Sequence, residues 1–199
     1  TNQDLNTDET WLFIHGGWGE IRMGDQDGIV ENSIVGGQTL AAGTGGIDGS
    51  DYVILPVVGS AVYPTLTDDA TKIEYYSPSL GGFSLGVSYT PTQSVVDSDE
   101  NNGQFIANKN GDAAMEGQNI VEAGLVYDGE LGEDVALTTS LVGLYGKLRN
   151  GGEEAFGDSD WWSATYGANL DFSGLQVAAS VGTDHLGDQK HEFMTAGIG

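Results

Sequence analysis

Two basic residues and the acids between them carry the most chemistry in this chain. Arg22 stands in "EIRMG" and Lys72 in "KIEYYS". Between them, residues 25–70 hold Asp25, Asp27, Glu31, Asp48, Asp51, Asp68 and Asp69. The 199-residue sequence has 30 acidic residues against six basic ones, a net charge of −24 at pH 7, so the position of each cation is informative. Carboxylates facing a fixed cation across a gap create a transverse field, and charged groups that edge a water path set ion selectivity. In the plainer alternative, Arg22 and Lys72 are structural salt-bridge partners of the acidic segment. The two readings are compatible.

Calcium is the second chemistry to weigh. "DQDG" (25–28) puts Asp25 and Asp27 at the first and third positions of an EF-hand loop, but Ile29 fills the fifth, so that match fails. Another arrangement of acids around Asp25 and Asp27 leaves calcium open; no other cofactor is implied. Catalysis finds no footing. His15, His185 and His191 are scattered, and H-E-x-x-H does not occur. Cysteine is absent, which removes disulfides, thiolate metal sites and cysteine nucleophiles. Acid pairs are too common here for spacing to single one out. The chain is therefore expected not to be an enzyme. The acidic excess also excludes nucleic acid, whose phosphates need a basic surface.

These residues need elements to hold them, and the elements read as strands. Residues 83–90 alternate without a slip: Phe83, Leu85, Val87 and Tyr89 on one side, Ser84, Gly86, Ser88 and Thr90 on the other. Residues 121–127, 162–172 and 175–184 repeat the rule, with Gly and small polar groups opposite large apolar ones. Further strands are predicted at 9–16, 20–24, 72–77, 135–148 and 192–199, about nine in all. A soluble sheet normally sets Lys, Glu, Arg and Thr on its water face. A row of Gly weakens such a face for no gain. The pattern instead predicts an apolar face towards lipid, carrying Phe83, Leu85, Val87 and Tyr89, and a small polar face towards a water-filled lumen. Tyr89, Tyr127, Tyr145, Trp162 and Phe172 fall near strand ends, as interfacial girdles do.

Connectors alternate in length. Those at 16–19, 77–82, 128–134 and 172–174 are tight and Gly-rich; those at 25–70, 91–118, 149–160 and 184–191 are longer and mostly acidic. An antiparallel up-and-down meander with short turns at one end gives this layout. The stretch 25–70 mixes hydrophobes with acids, as a loop packed on the inner wall of a barrel would; 91–118 reads as a long external loop. No segment reads as a signal peptide or as a transmembrane helix.

At "GGWGEIRMGDQDG" followed by "AAGTGGIDG", at "KIEYYSPSLGGFSLGVSYTP", at "YGANLDFSGLQVAASVG" and at "FMTAGIG", the sequence resembles general outer-membrane porins of Gram-negative bacteria, particularly alphaproteobacterial ones. The resemblance runs over nearly the whole chain. It implies an all-β, sixteen-stranded transmembrane barrel, a homotrimer, and contact with lipid and lipopolysaccharide. It also implies a third external loop folded inward as a constriction, here 25–70. Asp25, Asp27, Glu31, Asp48 and Asp51 would be the acidic edge of that constriction; Arg22, Lys72 and Glu74 would stand on the wall nearby. The implied function is passive diffusion of small hydrophilic solutes and ions, with cations preferred. About nine strands cannot close such a barrel, so residues 1–199 are read as one partial barrel domain, an internal piece similar to about the fourth through twelfth strands. The alternative function is an acidic, calcium-binding extracellular β-sandwich adhesin; a glycan-active β enzyme ranks third.

Overall fold

A computed structural model of the chain describes residues 9–40, 64, 67, 70–94, 115–150, 159–187 and 189–199. It shows nine strands in one antiparallel sheet, ordered as they occur in the chain. They are β1 (Thr10–Gly16), β2 (Gly19–Gln26), β3 (Ala70–Tyr76), β4 (Phe83–Ser94), β5 (Met115–Glu130), β6 (Val135–Asn150), β7 (Ser159–Phe172), β8 (Leu175–Leu186) and β9 (Gln189–Ile198). After β2 come a short helix α1 (Ile29–Ser33) and a single 3₁₀ turn (Gly37–Leu40). Among the described residues the sheet is open, with β1 and β9 at its edges. No helix among them is long and apolar enough to cross a membrane.

The strands outrun the sequence expectation at the long-connector end. Asp25 belongs to β2, not to the connector after it, and β4 and β5 reach residues 94 and 115. The connector read at 184–191 is corrected more sharply. It shrinks to the pair 187–188, with Gly187 at φ +60°. Thr183↔Glu192, Asp184↔His191 and His185↔Lys190 pair across it as ladder partners. Acidity there was mistaken for loop character. The opposite end behaves as read: Ser173 and Gly174 both take positive φ. That is the two-residue hairpin whose twist matches its strands.

Facing follows the alternation. Phe83, Leu85, Val87 and Tyr89 are exposed, Leu85 by 43%, while Gly86, Ser88 and Thr90 are buried. Register carries this apolar face across the sheet through Ile21, Met23, Ile73, Leu125, Leu141, Tyr166 and Val181. Among the described residues, charges on this face stand only towards the long-connector ends, at Asp25, Lys147, Asp160, Lys190 and Glu192. Tyr89, Tyr145 and Trp162 lie just inside them; Phe83 packs on Tyr127, ring centroids 4.7 Å apart, at the short-turn end. The opposite face is not uniformly small and polar, as the sequence suggested. Ile120, Val142, Leu144, Leu148, Trp161 and Leu186 point there and form a core with Val30 and Ile34. A bulge helps: register shifts between Gln118 and Val121, and Asn119 takes φ 51°. The extra residue re-aims the strand, and Ile120 ends up fully buried.

Candidate functional site

The chain leaving β2 crosses the small-residue face one strand after another. Ile29 lies on Gly86 of β4 and on Gly124 of β5. The Val35 N–H donates to Ser140 Oγ of β6 at 3.0 Å, and its carbonyl presses on Gly167 of β7. Ser180 Oγ of β8 donates to Gln38 Oε1 at 3.2 Å. The hydroxyl of Thr195 on β9 accepts the Gly37 N–H at 3.0 Å and donates to the same Gln38 oxygen. Backbone can come this close only where the wall lacks bulk. A Cβ at Gly86 would stand 2.8 Å from Ile29 Cδ1, and one at Gly167 would collide with the Val35 carbonyl oxygen. Glycine in these strands therefore marks close approach of another chain segment.

The origin of this segment is held by charge. Glu122 of β5 is fully buried; its carboxylate accepts the Ile29 N–H at 2.7 Å and the Ser88 hydroxyl at 2.9 Å. It satisfies an orphan donor in the first turn of α1, where the N-cap, Gly28, has no side chain to do so. Lys72 of β3 is 3% exposed, and its ammonium donates to the carbonyls of Gln26 and Thr67. One side chain thus ties the residue that enters the 27–69 segment to one near its exit. Lys72 is in electrostatic reach of Glu122, Glu74, Asp27 and Glu31. Glu74, 1% exposed, accepts the Tyr76 hydroxyl at 2.9 Å. Arg22 stands across the ladder from Glu74, donates Nε–H to Glu20 at 2.5 Å, and lies over the rings of Trp11 and Tyr76.

The fold thus brings Arg22, Asp27, Glu31, Lys72 and Glu74 into one charged cluster, with Asp27 and Glu31 half-buried on the crossing segment. Lys72 and Glu74 are both shut off from solvent, and Lys72 anchors the segment. Asp25 is not part of the group: register sets it beside Thr10 and Thr71, on the face of Met23 and Ile73. Asp48 and Asp51, like most of 41–69, lie outside the described residues. Among the described residues, no group of three or more His, Cys, Asp or Glu could hold a metal ion. Sequence reasoning missed Glu122 as a site residue. Its signal was present, as the one carboxylate within the 121–127 alternation, whose small face is otherwise Gly124 and Val126.

Comparison with known proteins agrees with this architecture. A family model described as Gram-negative porin matches residues 1–199. Uncharacterized proteins of Rickettsia bellii, Rickettsia felis and Rickettsia conorii are 27%, 26% and 25% identical to the chain, over 68%, 68% and 71% of its length. The matches cover 41%, 41% and 42% of those relatives, so the chain spans about two-fifths of their length. No solved structure matches it significantly.

Proposed function

The chain belongs to the Gram-negative porin family, and on that premise we propose that the whole protein forms a water-filled channel in the outer membrane. Small hydrophilic solutes and ions cross it by passive diffusion, cations in preference. The nine strands are part of a closed barrel, sixteen-stranded and homotrimeric on the family resemblance, in contact with lipid and lipopolysaccharide. The observation that carries this reading is the contrast of faces. Among the described residues, one is apolar with charges only towards strand ends; the other bears a segment laid flat across six strands. A spanning barrel needs the first for lipid and uses the second to narrow its lumen. Residues 27–69 form the constriction. Asp27 and Glu31, with Asp48 and Asp51 further along, supply its acidic edge; Arg22 stands on the wall, and Lys72 holds the loop from below with Glu74 buried beside it.

Planar-bilayer recording of the full-length protein tests this. Discrete conductance steps are expected, with a reversal potential in a salt gradient that reports cation preference. Folded, detergent-extracted protein that gives no steps would sink the proposal. Neutralising Asp27 and Glu31, then Asp48 and Asp51, is expected to lower cation preference stepwise; unchanged permeability ratios would remove those four from the constriction.

A further inference from the structure

The root of the crossing segment buries more negative charge than it balances. One row of the ladder runs Arg22↔Glu74, Glu74↔Ser88 and Ser88↔Glu122 across β2 to β5. Glu74 and Glu122 are both buried, and each keeps one carboxylate oxygen, Oε1, that accepts no hydrogen bond among the described residues. The two carboxylates are in electrostatic reach of each other. Neither local cation is bonded to those oxygens: Lys72 donates to the carbonyls of Gln26 and Thr67, and Arg22 gives Nε–H to Glu20. A third bare oxygen belongs to the same place. Thr90 follows Tyr89, the partner of Ile73, so register sets it beside Lys72 on the face of Glu74 and Ser88. It is fully buried, and its hydroxyl has no hydrogen-bond partner among the described residues. Buried polar atoms are nearly always satisfied, so a group of bare oxygens marks a bound water or ion.

We propose that Glu74, Glu122 and Thr90 bind one monovalent metal cation at the root of the crossing segment. Charge selects the occupant. Among the buried groups, the carboxylates of Glu74 and Glu122 face the single ammonium of Lys72, which leaves one negative charge. A water molecule cannot cancel it, and an unbalanced buried carboxylate is costly. A doubly charged ion would reverse the sign beside Lys72. Asp27 and Glu31 do not change this count, because both are only half-buried and keep contact with water. The acids also fall short of a divalent centre, since among the described residues no three or more His, Cys, Asp or Glu form a metal-holding group. All three bare donors are oxygens, which suit a hard cation. The ion would tie β3 and β4 to β5, whose Glu122 holds the first turn of α1. This inference stands on the fold and does not need the channel reading.

The test is thermal unfolding of the full-length protein in detergent, with sodium chloride replaced stepwise by N-methylglucamine chloride at constant ionic strength and pH. N-methylglucamine is too large to enter a buried site. Sodium is expected to raise the unfolding temperature by about 1–3 °C over the organic cation. The rise should grow with the logarithm of sodium concentration. Glu74→Gln removes the surplus charge and is expected to abolish the response. Thr90→Val keeps the shape and removes one oxygen; the response should then need about three- to tenfold more sodium. Glu192→Gln, at a strand tip on the opposite face, is expected to respond as the parent does. Equal unfolding temperatures of the parent in the two salts overturn the site, and a proton then balances the carboxylates. A sodium response undiminished in both Glu74→Gln and Thr90→Val overturns it as well. So does a response to calcium that exceeds the one to sodium and is lost in Glu74→Gln, which makes the occupant divalent. None of these outcomes bears on conductance, so the channel reading stands or falls separately.

Discussion

The two faces of the sheet come from the same strands and obey different rules. On the apolar face, among the described residues, no segment of the chain packs over Leu85, Leu141 or Val181. Each position there needs only to be apolar, and neighbours tolerate exchange. On the other face each position is fixed by what lies on it. Gly86 answers Ile29, Gly167 answers the Val35 carbonyl, Thr195 answers Gly37 and Gln38, and Glu122 answers the Ile29 N–H. The difference teaches what the small residues are for. They make room for backbone, so this face is a mould for the 27–40 segment.

Breaking the mould at its charged end should have the largest effect. Lys72→Met leaves the Gln26 and Thr67 carbonyls without their donor and strips buried Glu74 and Glu122 of a compensating cation. Removing one partner from a buried charge arrangement costs about 3–5 kcal/mol. The expected result is a lower thermal unfolding temperature of the full-length protein in detergent, and faster amide exchange over 27–33 than over β8 and β9. Unchanged exchange at Ile29 and Val30 would mean that Lys72 does not hold the segment.

The apolar face should break by a different mechanism and by less. Leu85→Arg touches no packed partner, so in detergent the protein should stay folded. In lipid vesicles a charge on a lipid-facing strand costs about 2–4 kcal/mol near the midplane. The expected signature is a loss confined to bilayers, read as a reduced yield of vesicle-inserted protein. Equal insertion of parent and variant would show that Leu85 does not meet lipid.

The same contrast explains what the sequence could tell. Alternation at 83–90 and 175–184 needs only near neighbours, so strand number and facing were legible. The charged partners were legible in part, because scarcity of cations drew attention to Arg22 and Lys72. The mould was not. That Gly167 exists for Val35 depends on residues 132 positions apart, and no local pattern encodes such a separation. For the same reason Val142, Leu144 and Trp161 were not foreseen as a core: their cover, Val30 and Ile34, arrives from beyond three or four intervening strands. Acidity misled at 184–191, where charged residues at the strand tips stand in a continuous ladder.

The far end of the crossing segment gives the smallest and most local effect, and it sets the scale for the rest. Thr195→Val keeps the shape of the side chain and removes one hydroxyl. Three contacts go with it: the acceptor for the Gly37 N–H, the donor to Gln38 Oε1, and the 2.6 Å contact with Ser180 Oγ. Ser180 still donates to that Gln38 oxygen, so one anchor survives. A net loss of about 0.5–1.5 kcal/mol follows from a neutral hydrogen bond of this kind. Amide exchange at Gly37 should therefore accelerate about two- to tenfold. Exchange at Ile29, held by Glu122 some strands away, should not move. Were Thr195→Val to loosen Ile29 as much as Lys72→Met does, the segment would detach as one cooperative unit. The charged clasp and the hydroxyl row would then be two ends of a single lock, and the ordering of effects argued above would be wrong.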